Sequence, residues 1–140
     1  MPSAGRFIGG WRKTETDMIT NFEEYTATLT TYERDMLVPM LANELKTRVG
    51  AKHAIRNKEL CRMFTERGYQ GLTEARVRKC INYIRINGLV PHLIANSHGY
   101  FCATSVEQVE TYITSLDQRA KAIWAMRAAL NKELSGKLFL

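Results

Sequence analysis

No apolar run in the 140-residue chain comes near the ~20 residues that a membrane span requires, so no membrane segment is expected. The first ten residues carry one Arg and no apolar core followed by a cleavage site, so they do not read as a secretory signal. Cysteine is sparse. Cys61, Cys80 and Cys102 are odd in number and widely spaced, with no CxxC pair, which argues against a disulfide framework and a zinc site and leads us to expect a reduced, cytoplasmic protein. The three histidines, His53, His92 and His98, have neither metal-ligand nor catalytic spacing. Gly9-Gly10 lacks the preceding strand and the following Lys of a phosphate-cradling loop. Together these absences predict a protein that is not an enzyme, with no catalytic residue, cofactor or metal.

What is present is a chain of single-domain size, 45% apolar and 24% charged, long enough to bury a core without crosslinks. Its charge is unevenly distributed. Lys46 to Gly88 holds 11 of the 20 bases and three acids, Glu59, Glu66 and Glu74, for a net +8; the rest of the chain sums to −2. A basic excess confined to one stretch is what a polyanion-binding surface looks like in sequence.

Residues 1–15 read as a flexible arm, with three glycines and no sustained period. Residues 16–104 hold the helices and a hairpin, and 105–140 a long helix. Met18, Phe22, Tyr25 and Leu29 recur at helical spacing. Thr30 and Glu33 match a capping box that opens a helix to Arg48, with Leu37, Met40, Leu41, Leu45 and Val49 as its apolar stripe and Pro39 bending it. Ala54 to Arg56 is a short extended piece. Asn57 is placed to cap a helix over Lys58–Arg67, and Thr73 one over Glu74–Asn87, where Val77, Ile81 and Ile84 face inward. Leu89–Ala95 and Gly99–Ala103 then flank a four-residue turn. Thr104 and Glu107 form a further capping box before a helix reaching Ser135.

The stretch TEARVRKCINYIRINGLVP, Thr73 to Pro91, followed by LIANSHGYFCATSVEQVETYI, resembles winged helix-turn-helix proteins of phages and mobile elements over roughly Asn43 to Leu116. The fold class implied is mainly α with a small β-hairpin: a winged helix-turn-helix with an added N-terminal helical segment and a long C-terminal helix. The resemblance implies sequence-specific or structure-specific binding of double-stranded DNA, in transcriptional control or in replication of a phage or mobile element. A winged helix also serves as a protein-interaction adaptor without reading DNA, in a replication or virion assembly, so a protein partner stands as the alternative.

On the third helix, Thr73, Arg76, Lys79 and Asn82 are the expected base-reading residues, because the early positions of a recognition helix reach base edges. Arg78 and Arg85 suit phosphates, and Tyr83 either stacks on a sugar or covers the edge of the core. On the preceding helix, Asn57, Lys58 and Arg62 are phosphate candidates, with Lys52 and Arg56 extending the track. The hairpin tip, Asn96, Ser97 and His98, lacks the cation of many wings. Cys80, beside the apolar stripe, suits packing better than chemistry.

In the C-terminal helix Val109, Ile113, Leu116, Ala120, Ile123, Arg127, Leu130 and Leu134 follow at alternating steps of four and three. This is the repeat of a narrow helix–helix seam. It pairs either with a second copy, giving a homodimer, or with the N-terminal helices of its own chain.

Overall fold

The computed structural model describes residues 28–136. The arm at 1–15, the helical pattern over residues 16–27 and the tail from Lys137 lie outside them. The fold is mainly helical with one small antiparallel hairpin. Contacts divide the chain into a first unit ending at Ala103 and a second beginning at Thr104.

The first unit opens at the predicted capping box: the Thr30 backbone N–H donates to Glu33 Oε1 at 2.8 Å, and the Glu33 N–H donates to Thr30 Oγ1 at 3.1 Å. A π-helical turn, Glu33–Leu37, leads into helix α1, Val38–Lys46. Pro39 explains the join. It has no N–H to give Asp35, so the ladder widens ahead of it, and the Val38 N–H reaches back five residues to the Glu33 carbonyl. The bend predicted at Pro39 therefore takes the form of a wide turn with the proline in the first turn of α1. The helix ends at Lys46, short of the Arg48 expected, with Thr47 Oγ1 donating to the Glu44 carbonyl at 2.7 Å. Val49, counted in the apolar stripe, is thus outside the helix and half exposed, where it forms a parallel bridge with Cys102.

A 3-10 turn, Ala51–His53, precedes helix α2, Asn57–Glu66, and helix α3 follows at Glu74–Ile86. Strands β1, Leu93–Asn96, and β2, Gly99–Cys102, pair in the register Leu93 to Cys102 and Asn96 to Gly99. The extended run predicted from Leu89 starts only at Leu93, because Pro91 and His92 form a turn in which His92 takes φ 55°. The short piece at Ala54–Arg56 is reduced to one antiparallel bridge. The Ile55 N–H donates to the Tyr100 carbonyl at 3.0 Å, and the Tyr100 N–H donates to Ile55 O at 2.8 Å.

Helix α3 packs against both α1 and α2. Leu37, Leu41 and Leu45 from the first helix meet Leu60 and Phe64 of α2 and Val77, Cys80, Ile81 and Ile84 of α3, all fully or almost fully buried. This core sets the rotation of α3, and with it the side chains α3 turns outward.

The hairpin approaches the bridged segment before α2 so closely at Gly99, where φ is 123°, that a β-carbon there would collide with the Ile55 carbonyl. Replacing Gly99 with Ala is expected to cost at least about 2 kcal/mol, through backbone strain and separation of the Ile55–Tyr100 bridge. Equilibrium urea unfolding measures it; a loss of a few tenths of a kcal/mol would contradict the close approach.

The second unit is helix α4, Val106–Ser135. Its cap lies one residue beyond the expected Thr104. Ser105 Oγ accepts from the Gln108 N–H at 3.2 Å, while Gln108 Oε1 accepts from the Thr104 N–H at 2.7 Å. Thr104–Glu107 and Ser105–Gln108 both carry the capping pattern; the Ser105 hydroxyl makes the cap, and the Gln108 side chain reaches back to Thr104 rather than to Ser105. At 30 residues the helix is ~45 Å long, and none of its residues is buried.

Candidate nucleic-acid interface

Helices α2 and α3 carry the proposed contacts, and the loops before each set their first turns. Arg56, not Asn57, is the N-cap of α2, and its backbone N–H is accepted by the Glu59 carboxylate at 3.0 Å. Asn57 was expected to be that cap and a phosphate contact; it is instead half-buried in the first turn, with its side-chain amide donating to the Glu74 carbonyl at 3.0 Å and its oxygen accepting from the Cys61 thiol at 3.4 Å. Its geometry ties α2 to the start of α3. Lys58 and Arg62 stand exposed on α2.

At the start of α3 the Thr73 hydroxyl accepts from the Arg76 N–H at 3.0 Å, so Thr73 caps its helix as expected. Arg76 and Lys79 have a role that no local pattern announces. Glu33, 4% exposed as a residue, receives Arg76 Nε on Oε2 at 2.9 Å and Lys79 Nζ on Oε1 at 2.7 Å. The Arg76 guanidinium also donates to the Gly71 carbonyl at 3.1 Å and lies 5.2 Å from the centre of the Tyr32 ring. Both cations, expected on the outward reading face, are therefore drawn against the N-terminal end of the first helix.

Burial alone would raise the Glu33 pKa, but the hydrogen bonds from Lys79, the Thr30 amide and Arg76, with the Lys79 charge, outweigh it and bring the carboxyl down to about 2. The same carboxylate thus caps its own helix and clamps α3 from 43 and 46 residues away.

The other flank of α3 carries Arg78, Asn82 and Arg85, all half-buried, with Ala75 exposed between the flanks. Tyr83 is 38% and Ile86 59% exposed, an apolar margin on the outward side. Arg48 pairs with Glu44 at 2.8 Å, and Arg67 approaches the same carboxylate at 3.9 Å. Four of the 11 bases in the Lys46–Gly88 stretch, Arg48, Arg67, Arg76 and Lys79, therefore meet acids of the first helix that precede that stretch in sequence. Lys52, Arg56, Lys58 and Arg62 remain exposed.

The hairpin tip is closed by the Asn96 side chain, whose Oδ1 accepts from the His98 N–H at 2.7 Å. Arg56 extends its guanidinium to the Ser97 carbonyl at 3.4 Å. Lys52, Arg56 and His98 share a shallow cleft there with Glu59. The cation absent from the hairpin's own sequence is thus supplied by the residue before α2. Sequence reading placed Arg56 only on an extended phosphate track, because a contact across 41 positions leaves no local signature.

All three cysteines are free thiols. Burial pushes the Cys80 thiol up to about 12, with the nearby Glu33 charge adding to the rise, and burial also raises Cys61 and Cys102. None is a poised thiolate nucleophile at neutral pH. Among the described residues no group of three His, Cys, Asp or Glu is arranged to hold a metal, and no helix is long and apolar enough to cross a membrane.

Comparison with protein-family models, with curated proteins and with solved structures finds no match.

Proposed function

We propose that the unit ending at Ala103 is a winged helix-turn-helix domain that binds double-stranded DNA, with α3 presented to the major groove and α2 lying along the backbone. The observation that carries this reading is the order of elements joined to the charge on them. Helix, bridged segment, two packed helices and hairpin follow in turn, with the Ile55–Tyr100 bridge joining the segment before α2 to the hairpin. Lys58 and Arg62 on α2 are exposed, and Arg78, Asn82 and Arg85 lie together on one flank of α3.

In this reading Arg76 and Lys79 are anchors. Pulling them into a groove would leave the buried Glu33 carboxylate with the Thr30 amide but without either cation, a penalty at least as large as the gain from a good base contact. Base and phosphate contacts then fall to Arg78, Asn82 and Arg85. Arg and Asn match the hydrogen-bonding edges of guanine and adenine, and an exposed Ala75 fits against a thymine methyl. Lys58 and Arg62 supply backbone charge, and Arg56 and Lys52 extend it to the hairpin.

Selection of bound duplexes from a random-sequence pool by the full chain tests the reading directly. Enrichment of a short common site is expected. Replacing Lys58 with Ala should weaken binding to every duplex to a similar degree and reduce the salt slope by about one unit. A pool that enriches nothing and shows no duplex retained at low salt would overturn the proposal in favour of a protein-binding domain.

A further inference from the structure

We propose that α4 pairs with the same helix of a second copy as an antiparallel coiled coil, in a register that sets Ala120 against the partner's Ile123. The inference is independent of DNA binding and rests on the second unit alone. A straight helix drifts ~20° per heptad from a strict seven-residue repeat, so a face packing on a globular core has no reason to keep that repeat. Yet α4 keeps it over four heptads, and along it Ile113, Leu130 and Leu134 are 50%, 56% and 62% exposed. A repeat of this kind suits a supercoiled partner helix.

Length favours a second copy as that partner. The sequence pattern at Thr16 to Leu29 covers 14 residues, fewer than half of the 30 in α4, and the helix that follows it, up to Met40 and beyond, already buries its apolar side in the core of the first unit, whereas a copy of α4 matches it end to end.

The seam residues choose the direction. A parallel pair would set Arg127 against the partner's Arg127, bringing like charges together, and Ala120 against the partner's Ala120, leaving a void. Reversing one helix with the ends overlapped pairs Ala120 with the partner's Ile123, Ile113 with the partner's Leu130, and Arg127 with the partner's Leu116. Small residues then face large ones. The Arg127 guanidinium already lies 4.8 Å from the centre of the Trp124 ring on its own helix, and the partner's Asp117, next to the partner's Leu116, brings a carboxylate to it.

Sedimentation equilibrium on the full chain is expected to give a dimer, and Ile123→Asp to weaken it on the order of 100-fold. Direction is read by oxidative crosslinking in a Cys61→Ser background, with Leu116→Cys and Arg127→Cys chains separately and after mixing. A covalent dimer in the mixture, and in neither chain alone, is expected. A monomer at tens of micromolar, a dimer indifferent to Ile123→Asp, or crosslinking of either variant with itself would overturn the proposal.

Discussion

Glu33→Gln is expected to lower the unfolding free energy by about 2–4 kcal/mol. Removing one partner from a buried ion pair leaves the others uncompensated, and here a single carboxylate serves two cations. The side chains of Arg76 and Lys79 are 27% and 16% exposed, so water relieves part of the penalty and the lower half of the range applies if both reorient outward. Glutamine has the same shape and keeps an oxygen for the Thr30 amide, which separates loss of the clamp from loss of the cap. Thermal unfolding of a unit this size should shift by roughly 10–20 °C.

The pH dependence follows with a definite sign. The folded carboxyl titrates at about 2 against an ordinary 4.5. Its contribution is therefore complete above pH 4.5 and is lost as pH falls toward 2, amounting to about 3 kcal/mol. Glu33→Gln should flatten that part of the stability profile. An unchanged melting temperature and an unchanged acid limb would show that the clamp does not hold α3.

Exchanging Arg78 and Arg85 together for Ala is expected to reduce duplex affinity by about 100-fold or more at fixed salt, since each contact to a base edge or phosphate is worth on the order of 1–3 kcal/mol. Both residues are half-buried, so melting curves on the same variant separate any loss of stability from the loss of affinity. Arg76→Ala should do the reverse, lowering stability by breaking the Glu33 contact while the protein, kept cold enough to fold, retains nearly the wild-type salt slope. Anisotropy titrations paired with melting curves distinguish the flanks. If Arg76→Ala abolishes binding and the Arg78/Arg85 variant binds normally, the reading face lies on the other side of α3.

These two predictions turn on what a sequence shows locally and what it cannot. The cap at Thr73, the capping box of Thr30 and Glu33, and the inward positions Val77, Ile81 and Ile84 depend on residues within three to seven positions of one another, and the structure has them where spacing put them. The second use of Glu33 depends on partners 43 and 46 positions away. Local spacing registered Glu33 only as the capping-box partner of Thr30, and Arg76 and Lys79 only as base-reading residues. Local spacing had no means of seeing that another helix covers that side. Similarly, the reading of Asn57 as a cap was one residue off: Arg56 takes that place with Glu59 on its N–H, and the Asn57 side chain is tied instead to the Glu74 carbonyl, 17 positions away. The net +8 was legible; that four of its cations are drawn to Glu33 and Glu44 was not.

The central claim is that Lys58 and Arg62 of α2, with Arg78 and Arg85 on one flank of α3, form a surface for the phosphates of duplex DNA. Its most direct test is the observed association constant of the full chain for a short labelled duplex, followed from about 50 to 300 mM monovalent salt. With Lys52, Lys58, Arg62, Arg78 and Arg85 as contacts, a logarithmic slope of about −4.5 is predicted. A slope near zero, or no measurable binding at the lowest salt, would contradict it.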